Sequence, residues 1–144
     1  MTSPVTSPAT SPAKLAFRRT LDLAHDRGQS LRFWLRDDDA THPGPALKRL
    51  LDLCAAHRVP PVLAVIPARA SADLAAALPA PVRVAQHGWA HENHAGPGEK
   101  KQELGPQRPA PLVLAELARG LERLRGLFPD HLIDLMVPPW NRIA

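Results

Sequence analysis

At 144 residues the chain is long enough for one ordinary domain with a real core, and its 44% apolar and 22% charged residues are those of a globular protein. Lysine and arginine outnumber aspartate and glutamate by 18 to 14, but the excess is scattered and the adjacent basic pairs are only Arg18-Arg19, Lys48-Arg49 and Lys100-Lys101, so no nucleic-acid footprint is expected. A single cysteine, Cys54, excludes an internal disulfide, and the longest apolar run, VPPVLAVIPA, is too short and too proline-broken to span a membrane.

The chain opens on MTSPVTSPATSPAK, three Thr-Ser-Pro repeats without the basic start or apolar stretch of a secretory signal. Residues 1–13 are therefore expected to be a floppy tail, and residues 14–144 the folded domain of a cytoplasmic protein. AKLAFRRTLDLAHDRG places Phe17, Leu21 and Ala24 on one helical stripe and stops at Gly28. LRFWLR predicts a short strand that runs into DDDA. PALKRLLDLCAAH spaces Leu47, Leu50, Leu51 and Cys54 as a helix, on whose apolar face Cys54 is a small buried hydrophobe rather than a reactive thiol. PPVLAVIP is a strand-length apolar run, SADLAAAL a short helix capped by Ser71, and PVRVAQ a strand that delivers the chain to His87. A polar segment follows to about Pro111. LVLAELARGLERLRGLF then aligns Leu114, Leu117, Leu121, Leu124 and Phe128 as the clearest helix of all, despite Gly120, and HLIDLMV is a last strand ending at PPWNR.

A helix followed by four strands with three helices between them predicts an α/β fold with a parallel sheet and right-handed crossovers. The unusual residues are not spread over these elements. DDD follows the first strand, HGWAH the third and PPWNR the fourth. Carboxyl ends of parallel strands share one face, where sites are built, so three polar clusters are expected to converge.

Two imidazoles and a carboxylate suit zinc or a similar divalent ion, with positions left open for water and substrate. His87 and His91, four residues apart, can aim at one ion from a turn or tight loop; His94 reads as a solvated loop histidine. Three consecutive aspartates repel one another unless a cation sits among them. One could bind the ion while a neighbour takes a proton from water, and Asp39 could equally be part of an acidic turn or helix cap. PPWNR is either a stiff turn with a buried tryptophan or a rigid loop that fixes a backbone N–H for an oxyanion.

With these clusters in hand, the chain resembles the polysaccharide deacetylases of carbohydrate esterase family 4, which include chitooligosaccharide and nodulation-type deacetylases. LRDDD stands for the family's T-F-D-D-G, HGWAH for H-[ST]-x-x-H, and VPPW for R-P-P-[YW]. The resemblance implies Asp37 as general base, Asp38, His87 and His91 as metal ligands, and Trp140 as the residue whose N–H faces the oxyanion, with Pro139, Asn141 and Arg142 beside the substrate. The third aspartate leaves a second register open, with Asp38 and Asp39 in the two acidic roles. Gly88 stands where the family has a hydroxyl residue, and Val137 where it has the arginine that steadies the base; Asn141 and Arg142 are the candidates to compensate. The implied activity is hydrolysis of a non-peptide carbon–nitrogen bond, N-deacetylation of an amino sugar or oligosaccharide, with zinc as the expected metal. A related amidase for a small nitrogenous metabolite and a non-catalytic metal-binding fragment are the alternatives. The family fold is a distorted (β/α) barrel, of which the motifs cover the N-terminal half. A chain of that extent would lack the family's later motifs, including the general acid. It is expected to self-associate through unpaired sheet edges and to be a poor deacetylase.

Overall fold

The computed structural model describes residues 11–143. Its contacts divide the chain between Phe33 and Trp34 into two units. The first unit is built on helix α1, Pro12–Asp26, where Ser11 accepts the Lys14 N–H and a proline opens the first turn, the position at which a missing N–H costs nothing. The helix thus takes up the last two residues of the expected tail, whose first ten residues lie outside the described ones. Of the predicted stripe, Ala24 is buried and Phe17 is 52% exposed; Phe17 instead meets Phe33 edge to face at 5.9 Å.

The second unit contains strands β1 (Leu35–Ala40), β2 (Pro61–Val65), β3 (Arg83–His87) and β4 (Leu132–Val137), and helices α2 (Pro45–His57), α3 (Ala72–Ala77) and α4 (Ala110–Leu127). The strands form one parallel sheet in the order β1-β2-β3-β4. This is the α/β architecture expected from the alternation of elements. Sequential order with right-handed crossovers puts every connecting helix on the same face of the sheet. Leu74 of α3 and Leu124 of α4 accordingly join Leu63, Val65, Val84 and Phe128 in one cluster, with Leu47 and Leu51 of α2 packed against it. Full burial of a leucine or phenylalanine contributes about 1.5–3 kcal/mol, and Leu63, Leu74, Leu124 and Phe128 are all fully buried. The opposite face carries the smaller Ala64, Ala85 and Val137. No helix among the described residues is long and apolar enough to cross a membrane.

Gly120, which weakens the helical pattern of α4, marks a close approach. A Cβ there would meet Gln86 Nε2 at 2.6 Å and the Pro67 ring at 3.0 Å. Without it, the buried Gln86 side chain reaches across to donate to Leu117 O at 2.9 Å and to Gly88 O at 3.0 Å. The end of β3 is tied to the helix that covers it.

The first strand corrects the sequence reading. It begins at Leu35, not Leu31, and contains the three aspartates instead of ending before them. The reason is its partner. β2 offers five residues from Pro61, so pairing runs Leu35↔Pro61, Arg36↔Val62 and Asp37↔Leu63, then resumes at Ala40↔Val65. β1 advances three residues where β2 advances two. Asp38 and Asp39 therefore share the place opposite Ala64, a bulge at which Asp39 takes a φ of 71°.

Candidate metal centre

Strand register sorts the three aspartates. Asp37 is level with Leu63 and so shares the face that Leu63 buries against the helices. It lines a hollow of about 340 Å³ with His42, Leu47 and Leu50, at whose edge Asp38 and Asp39 also lie. Partial burial, then the neighbouring charges of Asp38 and Asp39, raise its carboxyl above the ordinary 3.8. Asp38 and Asp39, opposite Ala64, belong to the other face, as does Arg36 two residues before Asp38. The same face continues through Ala85 to His87, the last residue of β3, and to Val137, the last of β4.

At that end of the sheet Asp39 Oδ1 lies 3.2 Å from His87 Nε2 and 3.2 Å from His91 Nε2. The three donor atoms lie within 4.8 Å of one another, close enough to bind a metal ion. Donors about 2.0–2.1 Å from a tetrahedral zinc are separated by roughly 3.3 Å, so the two spacings to Asp39 fit. The protonation pattern also fits. His87 is buried, and its Nδ1 sits 2.9 Å from Val137 O; a carbonyl can only accept, so Nδ1 carries a proton and Nε2 is the nitrogen turned to the cluster. Such an outer partner fixes both tautomer and ring orientation. His91 is 18% exposed and Asp39 59% exposed, which leaves the cluster open on the aspartate side. His94 is not part of it.

The structure thus brings together His87 and His91, as expected, with Asp39 in place of Asp38. Asp38 has a different partner. Arg36 Nη2 donates to its Oδ2 at 3.0 Å, and Arg36 Nε lies 2.7 Å from Oδ1. Oδ1 is nevertheless buried and accepts no properly aligned hydrogen bond. The same Arg36 Nη2 donates to Asn141 Oδ1 at 3.0 Å, linking β1 to the turn after β4. Arg36 of the first strand thus pairs with Asp38 and with the turn after β4. Its position two residues before Asp38 is a signal that can be used once the aspartates lie within the strand.

The turn after β4, Pro139–Asn141, is strained. Trp140 and Asn141 both have positive φ, 53° and 55°, an outlying conformation for a bulky side chain, of the kind that clusters at functional sites. The Trp140 ring packs on the His91 ring at 4.2 Å between centroids, so the third cluster reaches the other two. Pro139 is buried against Gly88, Asn141 holds Arg36, and Arg142 donates to Lys101 O at 3.1 Å.

Gly88 is needed for its conformation. Its φ is +57°, and a Cβ would run into the Glu103 carboxylate and the Pro139 ring. Glu103 itself is 1% exposed and accepts the N–H groups of Trp89, Ala90 and His91 at 3.2, 2.7 and 3.3 Å. Nothing in its surroundings in sequence, KKQELG, separates it from a solvated loop glutamate. Compared with protein-family models, with curated proteins and with solved structures, the chain matches none.

Proposed function

We propose that the protein is a metal-dependent hydrolase of non-peptide carbon–nitrogen bonds, with N-acetylated amino sugars as the substrate class and zinc as the ion. One observation carries this reading: a three-donor cluster spaced for a divalent ion, with a separate, arginine-held carboxylate beside it, at the carboxyl end of a parallel sheet. The order and placement of the three motifs, which resemble those of the polysaccharide deacetylases, support the choice of reaction. Asp39, His87 and His91 would hold the ion, the second of the two acidic registers. When bound, a divalent ion supplies Lewis acidity and lowers the pKa of water at its open positions.

The chain's own residues do the rest. Asp38 takes the proton of the attacking water as the water oxygen bonds to the acyl carbon, and passes it to the nitrogen of the leaving amine as the carbon–nitrogen bond breaks. Arg36 holds that carboxylate in one orientation, and Asn141 holds Arg36. The Trp140 N–H donates to the oxygen of the acyl carbonyl as negative charge develops on it. Packing of the Trp140 ring on His91 sets that donor at a fixed distance from the cluster.

The test is acetate release from N-acetylated chitooligosaccharides with zinc added, for the wild-type chain, Asp38→Asn and His91→Ala. Zinc-dependent release that both substitutions abolish is expected. Release that survives both, or a wild-type chain that releases none, overturns the reading of the reaction. Zinc titration of the same samples decides the centre independently.

A further inference from the structure

Glu103 lies outside all three motifs, yet among the described residues it is the most deeply buried ionisable group at this end of the sheet, 1% exposed beside 2% for His87. Its carboxylate accepts three consecutive backbone N–H groups, those of Trp89, Ala90 and His91. Consecutive amides can converge on one point where the backbone turns through left-handed conformations, and here Gly88 and His91 have φ of 57° and 58°. Such a concavity is an anion site made by main chain, and this one is filled from within. The next residue, Leu104, is buried and forms a parallel bridge to Ile143, and a Cβ on Gly88 would meet both the Glu103 carboxylate and the Pro139 ring. Glu103 therefore sits where the loop that carries His91 crosses the turn that carries Trp140.

We propose that Glu103 is the positioning residue of the metal centre: its carboxylate locks the 88–91 loop in the left-handed turn that places His91 Nε2 against His87 and Asp39. The inference rests on the metal-centre reading above. The acceptor must be a carboxylate rather than any polar group. Oε1 serves Trp89 and Ala90, while Oε2 serves His91. In Glu103→Gln, one oxygen can keep the first two amides, but the side-chain NH₂ then faces the His91 N–H, donor against donor. The substitution releases the ligand-bearing residue and leaves the rest of the turn capped.

Cobalt(II) titration followed by visible absorption tests this on the full chain, because band position and intensity report coordination geometry at the ion. The wild type is expected to bind one ion. Glu103→Gln should keep its far-ultraviolet circular dichroism, bind cobalt about 10–100-fold more weakly, the usual cost of losing an outer partner, and show altered bands when saturated. Unchanged affinity and bands in a folded Glu103→Gln overturn the proposal, even if its melting temperature falls. Should that variant not fold, amide hydrogen exchange in the metal-free wild type decides: slow exchange at Ala90 and His91 supports Glu103 as their acceptor, and fast exchange overturns it. A wild-type chain that binds no cobalt overturns the metal centre itself, a result distinct from the others.

Discussion

β1 and β3 supply the two halves of the candidate centre in opposite ways. β3 is enclosed: Val84, Ala85, Gln86 and His87 are all buried, with β2 on one side and β4 on the other. Its candidate ligand, His87, is held by packing and by Val137 O, and Gln86 pins the strand end to α4. β1 is an outer strand in which no residue is fully buried. Its acidic groups are placed by a bulge, by a single arginine and by a turn 105 residues away in sequence. A rigid strand can present a ligand by backbone geometry alone. An exposed one needs side chains to aim its groups.

This contrast predicts unequal costs along the two strands. His87→Ala removes a buried ligand whose place nothing else can take. It should abolish measurable zinc binding in a calorimetric titration, a loss beyond the roughly 10–100-fold expected for an outer partner; retained one-to-one binding would mean that β3 does not supply the ligand. The two aspartates of the bulge should separate next. Asp39→Asn is expected to weaken zinc binding strongly, whereas Asp38→Asn should leave affinity within a few-fold and cost about 10²–10⁴-fold in kcat, the usual contribution of a general base. The reverse pattern would restore the first register.

A smaller effect is expected from Arg36→Met, which frees Asp38 without removing it. Hydrogen bonds to charged groups are worth about 1.5–3 kcal/mol, so kcat should fall by roughly 10- to 100-fold with KM little changed. Loss of zinc affinity in this variant would instead place Arg36 in support of the ligands. The smallest effect belongs to Asp37, on the helix-facing side of β1. Its folded pKa lies above 3.8 because of partial burial first and its two acidic neighbours second. The folded chain therefore binds this proton more tightly than the unfolded one, and stability falls as pH rises from 3.8 through the folded value. In metal-free protein, Asp37→Asn should raise the thermal midpoint slightly at neutral pH, with the difference vanishing below 3.8. A difference independent of pH would assign the effect to packing.

The order of elements was legible because local patterns dominate it. The continuous apolar run at β2 and the alternating PVRVAQ at β3 both read as strands between amphipathic helices, and α2 begins and ends where its spacing predicted. HGWAH was legible as a ligand pair because two histidines four residues apart need only a local turn to meet. The start of β1 was not. LRFWLR is the more apolar stretch and the better local strand former, but Leu31, Phe33 and Trp34 remain exposed while the sheet takes LRDDDA.

Sequence by itself therefore determined the alternation of strands and helices, the parallel sheet it implies, and the gathering of polar clusters at its carboxyl end. These follow from periodicity and chain connectivity, both local in the chain. Only the tertiary structure decided which aspartate joins the histidines, which arginine holds its neighbour, and what the buried Glu103 does. The first depends on one extra residue in a strand pair, since each residue slipped exchanges the two faces of a sheet. The others depend on contacts between segments far apart in sequence, such as Arg36 with Asn141 and Glu103 with the amides of residues 89–91, for which no local pattern exists.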